Sequence, residues 1–355
     1  MNVLGIGMLF SRGLGIQAFE HTLQIGWQKP DAVALSEGKI LPAFLANLET
    51  VPDKSLLKKV RRADKLSKMA VLAAADALGD SGLPYEHKKT GIILATAFGA
   101  HVTTFDFLDG ILDYGDAAVS PTTFSNSVHN AAASYISSSL GIQGPTLTVT
   151  QFRFSFSRAL ELAKIWLNQK RCDYILVGAV DQYGDVLGYV SDKKSRWAED
   201  GKIRPFLFNP TCAVPGEGAV FFLMSNTRGG NDYCTVDIDF AAGQQIRQDS
   251  AEVTIIDADG MYPDESVYRT AVSPDVRITA YSPLFGSTMN TSAFHLAAAA
   301  LMMKRQVLYA APEQSNPHNL NLLTKMESAS IRTIRCIGFN CSLEQVITTA
   351  RVMEK

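Results

Sequence analysis

The sequence lacks the cysteine patterns of disulfide-bonded and zinc-binding proteins. Five cysteines are spread over 355 residues, and no two of them form a Cys-x-x-Cys pair. This spacing argues against a zinc site, and an odd number of separated thiols is typical of a reducing compartment. Cys336 and Cys341 lie close together without a histidine beside them, so we interpret both as structural thiols.

Long apolar runs and targeting signals are also missing. The longest apolar run, residues 293–303, contains His295 and is too short to span a bilayer. The N-terminal stretch MNVLGIGMLFSRG has no basic segment and no small-residue cleavage site, so it predicts a buried strand and a turn. We therefore expect a cytoplasmic protein without a membrane partner.

Lys and Arg form no long tract. The formal net charge is −2, and the one basic cluster, KKVRR at 58–62, is followed at once by Ala-Asp-Lys. We interpret this cluster as a solvated helix face and expect no nucleic-acid partner. Apolar residues make up 46% of the chain and charged residues 19%, which is ordinary for a globular protein with a sizeable core.

Short apolar strands alternate with helices along the first 225 residues. Strands are predicted at Val3–Met8, Thr90–Thr96, Thr146–Thr150, Tyr174–Val180 and Ala219–Met224. Helices are predicted at Ile16–Gln24, Lys65–Leu78, Thr103–Leu112, Ala131–Leu140 and Ser157–Asn168. The alternation indicates an α/β fold with a mostly parallel sheet covered by helices on both faces.

The alternation begins again more weakly after Ser225. Strands are predicted at Cys234–Asp239, Val253–Ile256 and Arg332–Gly338, with a helix at Thr291–Lys304. The polar, Gly-rich stretch NTRGGNDY at 226–233 lies between the two series and is typical of a joint. We therefore predict two domains, 1–225 and 226–355.

The stretch TVTQFRFSF at 148–156 predicts a strand that runs into a helix through a tight bend. Many α/β enzymes present a nucleophile at such a bend. The residues at the bend are Gln151, Phe152, Arg153 and Phe154. None of these side chains is a good nucleophile, and the guanidinium of Arg153 stays protonated.

Five segments, in order, resemble the β-ketoacyl synthase family of the thiolase-like fold. They are LGIGMLFSRGLGIQAFEHTL, RRADKLSKMAVLAAADALGDSGL, SPTTFSNSVHNAAASYISSSLGIQGPTLTV, RCDYILVGAVD and VPGEGAVFFLMS. The resemblance covers nearly the whole chain. It implies an α/β, thiolase-like fold with two similar βαβ-type halves in a layered αβαβα arrangement. The second half is short for the family, mainly between Met224 and Asp259.

The family uses a cysteine, two histidines and usually a lysine, and the resemblance implies that this chain has lost them. Counting forward from Val149, or back from Asp173, places Arg153 at the nucleophile position. DADGMYPDES places Asp259 at the first histidine, and SPLFGSTMNTSAF places Ser287 at the second histidine and Ser282 at the lysine. We therefore expect no catalytic residue, no metal and no cofactor.

Arg153 stands near the positive end of a helix, which is a poor place for a cation. A buried guanidinium needs a partner, because an unpaired buried charge costs several kcal/mol. In the family the nucleophile and first-histidine positions are neighbours around one small pocket. We therefore predict an ion pair between Arg153 and Asp259.

Within the family, the chain most resembles the chain-length factors of type II polyketide synthases, which lack the nucleophile. The resemblance implies a heterodimer with an active ketosynthase. The malonyl and polyketide chains on acyl carrier protein would then be held by that partner. The usual member carries glutamine at the nucleophile position, so a decarboxylase role of that glutamine does not transfer to Arg153.

The length-setting residues of such proteins lie on an interface helix that enters the partner's acyl tunnel. In AFGAHVTTFDFLDGI the corresponding positions are His101, Thr104 and Leu108, which share one helix face. The alternative is ordinary interface packing. Phe105 and Phe107 are predicted to be core in either case.

A small-residue helix and the strand after it are predicted at the dimer interface. Small side chains let backbones approach closely, and strand pairing across the dimer covers an exposed edge. The alternative is a solvated surface. The interface residues are Ala131, Ala132, Ser134, Thr148 and Thr150.

Two other functions remain open. One is a divergent thiolase-fold acyltransferase, whose nearest hydroxyl, Ser155, is better explained as a helix cap. The other is a homodimeric pseudoenzyme that binds an acyl group or acyl carrier protein. A homodimer would be stable alone, whereas a length factor with an exposed apolar interface would not.

Overall fold

The computed structural model describes residues 1–34, 38–84, 88–230, 232–241, 251–262, 264–340 and 342–353, and all structural statements concern these residues. No helix in these ranges is long and apolar enough to cross a membrane. Cys341 and His87 lie outside them. The helices are α1 Ile16–Ile25, α2 Ser55–Lys59, α3 Lys65–Ser81, α4 His101–Tyr114, α5 Pro121–Asn126, α6 Ala131–Leu140, α7 Ser155–Asn168, α8 Asp185–Lys194, α9 Val267–Ala271 and α10 Thr291–Arg305.

The strands belong to one large sheet and two small two-stranded sheets, β3 with β4 and β12 with β13. Their bounds are β1 Asn2–Phe10, β2 Gly13–Leu14, β3 Asp31–Ala34, β4 Ile40–Ala43, β5 Thr90–Ala95, β6 Thr146–Val149, β7 Tyr174–Asp181, β8 Gly218–Ser225, β9 Cys234–Ala241, β10 Val253–Ile256, β11 Arg277–Thr279, β12 Val307–Leu308, β13 Glu327–Ser328, β14 Thr333–Phe339 and β15 Gln345–Arg351.

The large sheet consists of two halves with the same strand order. From the outer edge inward, the first half runs β6-β5-β7-β8-β1 and the second runs β11-β10-β14-β15-β9. In each half the outer two pairings are parallel and the inner two antiparallel. The halves meet where Asn2 lies opposite Thr235 and Val3 opposite Cys234. The predicted pair of similar halves is thus confirmed, while the domain boundary at Ser225 stays a prediction.

The prediction of a mostly parallel sheet is wrong, because β8 and β15 run antiparallel to both of their neighbours. Their side chains are apolar on both faces for a different reason. Strand β8 lies between helix layers, since both α3 and α10 contact it. An apolar strand therefore indicates burial on two faces and does not indicate strand direction.

The predicted layered α/β arrangement is confirmed. Helices α7 and α10 form the central layer, because α7 contacts β5, β7 and β9 while α10 contacts β14, β15 and β8. Helix α3 contacts β1, β8 and α6 on the outer face of the first half. The chain between β9 and β10 is too short to hold a helix of the length of α3, which lies between β1 and β5.

Helix α3 lies unusually close to strand β1. A Cβ atom on Gly7 would lie 2.1 Å from the carbonyl oxygen of Ala73, so only glycine fits there. The carboxylate of Asp76 accepts a hydrogen bond from the Met8 N–H at 3.2 Å. Burial raises the pKa of Asp76 to about 6. This packing fixes the first half of the sheet, which carries the turn at Arg153.

Candidate functional site

The turn between β6 and α7 holds one residue in a strained conformation. Phe152 has a φ of 44°, in the left-handed region that costs a residue with a side chain about 1–2 kcal/mol. The Ser155 hydroxyl accepts a hydrogen bond from the Gln151 N–H at 2.7 Å and lies 2.8 Å from the Phe152 carbonyl oxygen. Ser155 is therefore not the predicted cap of α7, since its hydroxyl is used to close the preceding turn.

Arg153 turns into the protein and is 3% exposed. Its Nη1 and Nη2 atoms each donate to Oδ1 of Asp259 at 3.0 Å. Nη2 also donates to the carbonyl oxygen of Asp257, and the ring centroid of Tyr262 lies 4.9 Å from the guanidinium carbon. The predicted ion pair between Arg153 and Asp259 is confirmed.

Both carboxylate oxygens of Asp259 are occupied. Oδ1 accepts a third hydrogen bond from the Met261 N–H at 3.2 Å, and Oδ2 accepts one from the Thr291 hydroxyl at 3.0 Å. Burial disfavours the charged guanidinium of Arg153, but the charge of Asp259, together with smaller contributions from Tyr268, Glu265 and Tyr262, outweighs burial and holds the Arg153 pKa well above its ordinary value. The two terminal nitrogens of Arg153 are thus satisfied by this pair and the Asp257 carbonyl, whereas its buried Nε has no partner among the described residues.

Ser282 and Ser287 lie beside this pair, as the resemblance implies, but their hydroxyls are bound to backbone. Ser287 Oγ donates to the Asp259 carbonyl oxygen at 2.6 Å and accepts from the Val214 N–H at 3.1 Å. Ser282 Oγ donates to the carbonyl oxygen of Ala258 at 2.7 Å. The structure therefore brings together all four positions of the expected site, and each side chain holds the backbone in place.

Glu265 is a buried member of the site that sequence reasoning missed. Its two carboxylate oxygens lie 3.1 and 3.3 Å from the Gly260 nitrogen. Burial, and then the negative charge of Asp259, raise the Glu265 pKa to about 8. The segment DADGMYPDES contains four acids, and no periodic pattern separates the buried ones from the exposed ones.

His295 and Asp257 form a second buried pair that the sequence did not reveal. His295 Nε2 accepts a hydrogen bond from the Tyr281 N–H at 3.1 Å. Its proton therefore sits on Nδ1 and is donated to Asp257 Oδ1 at 2.6 Å. This assigns a neutral ring that is 0% exposed, consistent with the structural role we expected for this histidine.

A cavity of about 250 Å³ adjoins the site. Asp181 forms part of its wall and accepts hydrogen bonds from the Thr96 hydroxyl at 3.0 Å, the Ala97 N–H at 2.8 Å and the side-chain amide of Asn290. Burial raises the Asp181 pKa to about 6 despite these donors. Much of the lining is apolar, including Phe98, Leu187, Val190, Met261 and Met289.

The three predicted gate residues lie on α4. His101 is half-buried, Thr104 donates its hydroxyl to the Ser127 carbonyl oxygen at 3.1 Å, and Leu108 is 45% exposed. Phe105 is 39% exposed, so its assignment to the core is wrong. Phe107 is half-buried, with its ring centroid 5.3 Å from that of Phe124. The gate role of the first three residues stays a prediction.

Two of the five predicted interface residues are buried within the chain itself. Ala131 and Ala132 are buried, because α6 packs against α3 of the same chain, so they do not face solvent. Ser134 and Thr150 are exposed, and the Thr148 hydroxyl has no partner among the described residues. Strand β6 is the outer strand of its half-sheet.

Large apolar side chains are exposed along the elements from α4 to the turn before α7. Only Thr103 of α4 is fully buried, although α4 carries several large apolar residues. We call this surface the apolar face. Its exposed residues are Phe105, Leu108, Leu112, Tyr114, Phe124, Val128, Leu147 and Phe152.

Two similar βαβ-type halves, with a strand-turn-helix at the centre that carries Arg153, define a ketosynthase-like fold. The family model for "Beta-ketoacyl synthase, N-terminal domain" matches residues 2–228. The chain belongs to this family.

The curated relatives that match are similar over part of their length. Nodulation protein E of Rhizobium meliloti (strain 1021) is 24% identical over 232 residues, which are 64% of this chain and 57% of that protein. Nodulation protein E of Rhizobium sp. (strain N33) is 25% identical over 222 residues, 61% of this chain and 55% of that protein. The chain thus matches little more than half of each relative.

Solved structures match over the whole chain. A type II polyketide synthase acyl-carrier protein in complex with its ketosynthase contains a chain with a TM-score of 0.80, 14% identity and 99% coverage of both chains. The ishigamide ketosynthase/chain length factor matches with a TM-score of 0.80, 15% identity and 99% coverage of both chains. A β-ketoacyl synthase from Burkholderia phymatum matches with a TM-score of 0.79, 13% identity and 99% coverage of both chains. At these identities the similarity establishes the fold.

Proposed function

We propose that this protein is a non-catalytic partner of an active ketosynthase, in the manner of a chain-length factor of a type II polyketide synthase. It would shape the acyl tunnel of that partner and so set the length of the polyketide. The malonyl and polyketide chains would be carried on acyl carrier protein and held by the partner.

The ion pair between Arg153 and Asp259 carries this proposal. A guanidinium with its hydrogen bonds directed at Asp259 and at the Asp257 carbonyl cannot attack a thioester or accept a proton. The Ser155 hydroxyl lies against the backbone of Gln151 and Phe152. These contacts argue against a divergent acyltransferase, because neither side chain is available as a nucleophile.

The apolar face supports a partner. Exposed large apolar residues on contiguous elements mark an interaction surface, and the outer strand β6 presents unpaired backbone groups beside it. Ser134, Thr148 and Thr150 lie on or beside this edge, and we propose them as interface residues. Ala131 and Ala132 would act only by holding α6 against α3.

The position of α4 supports the gate. His101, Thr104 and Leu108 lie on a helix whose apolar residues are mostly open to solvent. A helix exposed in this way could be covered by another subunit and reach its interior. Larger side chains at these positions would shorten the tunnel of the partner, and smaller ones would lengthen it.

Co-expression with the ketosynthase encoded beside this protein tests the proposal. We expect a one-to-one complex, and a chain that is less stable when expressed alone than in the complex. A stable homodimer that ignores the ketosynthase would favour the homodimeric pseudoenzyme that binds an acyl group or acyl carrier protein.

Product length tests the gate separately. In the complex, Leu108→Phe should give shorter products and Leu108→Ala longer ones by mass spectrometry, with smaller shifts for Thr104→Ala. Leu343→Phe is a matched control, because Leu343 is also exposed but lies at the tip between β14 and β15. Unchanged product lengths in all gate variants would reject the gate assignment.

A further inference from the structure

The apolar face carries charge of only one sign. Residues 90–152 include no lysine and no arginine, and their four charged side chains are Asp106, Asp109, Asp113 and Asp116. All four aspartates are exposed. In a chain with 33 basic and 35 acidic residues, this distribution is strongly uneven and calls for a physical explanation.

Three of these aspartates form a stripe along α4. Asp106, Asp109 and Asp113 are spaced i, i+3 and i+7, so they share one side of the helix. The exposed apolar residues Leu108 and Leu112 lie on the adjacent side. The ion pairs found among the described residues do not include any of the three aspartates.

A cleft continues the stripe toward α8. It has a volume of about 360 Å³ and is lined by Asp106 and Asp109 of α4 and by Asp185 at the start of α8. Lys65 also lines it, but its ammonium group is paired with the buried carboxylate of Glu217. The cleft therefore presents excess negative charge and has room for a long cationic side chain.

We infer that the apolar face binds a chain different from itself, whose facing surface bears lysine or arginine side chains opposite α4. This inference rests on the proposed function and specifies the chemistry of the partner ketosynthase. Its basis is charge complementarity along an apolar surface.

Two-fold symmetry distinguishes binding of a different chain from binding of a second copy of this chain. In a two-fold dimer the same surface of each copy meets itself. Such a dimer, built on residues 90–152, would bring carboxylates together without a cation from either surface. Like charges brought into an interface disfavour association, so the stripe disfavours homodimers. A partner with basic residues at the corresponding place would bind faster, and its binding would depend on salt.

The test is the association of the full chain with that ketosynthase, each purified separately, measured by surface plasmon resonance across a salt series. For the wild type we expect binding that weakens as salt rises. The variant D109K/D113K should reduce the association rate constant roughly tenfold at low salt and lose the salt dependence. Both positions are exposed, and lysine near the C-terminal end of α4 favours the helix, so folding should be retained and is checked by circular dichroism.

The variant D239K/D275K is the matched control. It makes the same change in charge at two exposed aspartates of the second half and should bind as the wild type does. Unchanged association and salt dependence in D109K/D113K would overturn this inference but leave the proposed function standing. A homodimer of the wild-type chain at low salt would also overturn this inference. Failure of the wild type to bind the ketosynthase under any condition would overturn the proposed function, and this inference with it.

Discussion

The Arg153 guanidinium and the Asp259 carboxylate, 106 positions apart in the chain, are joined by two hydrogen bonds of 3.0 Å. Arg153 precedes α7 in the first half of the protein, and Asp259 follows β10 in the second. The pair therefore ties the two halves of the protein together.

Removing one partner of this pair should be strongly destabilising. Arg153→Met leaves the Asp259 carboxylate buried without its cation, and we expect a loss of about 3–5 kcal/mol in the free energy of unfolding. Adding Asp259→Asn to Arg153→Met should recover part of that loss, because the uncompensated charge is removed. Urea unfolding of the two single variants and the double variant gives the coupling energy. Additive losses would contradict a coupled pair.

Three buried carboxyl groups should make the protein less stable as pH rises. Burial raises the pKa of Asp76 and Asp181 to about 6, and burial with the charge of Asp259 raises that of Glu265 to about 8. Unfolded chains bind these protons with pKa values near 4. The folded protein holds them more tightly, so their contribution is fully present below about pH 4 and is lost as pH rises toward 6 and 8.

Asp181→Asn isolates one part of this pH dependence. The substitution removes the titrating group, and we expect the fall in the free energy of unfolding between about pH 3 and 7 to shrink by about 3 kcal/mol. Denaturant unfolding at several pH values measures it. Asp113→Asn, at an exposed aspartate of α4, is the control and should leave the pH profile unchanged. An Asp181→Asn profile parallel to the wild type would refute the assignment.

Phe152 should contribute more to association than to folding. Glycine relieves the strain of its φ of 44°, and the side chain is 63% exposed, so Phe152→Gly should not reduce the melting temperature. The dissociation constant with the ketosynthase should rise by about tenfold or more, as for an aromatic interface residue. Leu343→Gly is matched in backbone and exposure, with a φ of 59° and 63% exposure, and should not weaken binding.

Gly7 should not tolerate even one methyl group. A Cβ atom there would meet the Ala73 carbonyl oxygen at 2.1 Å, so Gly7→Ala should cost about 1–3 kcal/mol or more by pushing α3 away from β1. A Cβ atom on Gly110 in α4 would have no neighbouring atom within 4 Å, and Gly110→Ala should stabilise by about 0.5–1 kcal/mol. Thermal unfolding of both variants should shift in opposite directions, and equal shifts would contradict this packing.

Much of the fold could be predicted from local pattern. The helix Ala131–Leu140 and the strand Val253–Ile256 have the predicted bounds, and the five strands predicted in the first half agree to within two residues, whereas β2, β3 and β4 were not predicted. These elements have strong periodicity or clear turn residues at their ends. Strand direction was predicted less well, because burial on both faces is common to parallel and antiparallel strands in a layered fold.

The residues around Arg153 show where local pattern fails. Asp259 could be predicted as its partner, because the family places the two positions around one pocket. Glu265, Asp257 and His295 could not, because their burial depends on how the loop after β10 packs against α10. Local pattern also cannot predict the burial of Phe105 and Ala131, since both are apolar side chains in helices. Only the neighbouring elements determine that one is exposed and the other covered by α3.

By itself, the sequence determined that the side chain at position 153 is no nucleophile, because a permanently protonated guanidinium cannot act as one in any fold. It also determined the uneven charge of residues 90–152, which is a property of composition. Only the tertiary structure decided that Arg153 and Asp259 satisfy each other. It alone also decided that the acidic stripe of α4 lies beside exposed apolar residues. Burial and proximity are set by long-range packing, which local sequence pattern does not reveal.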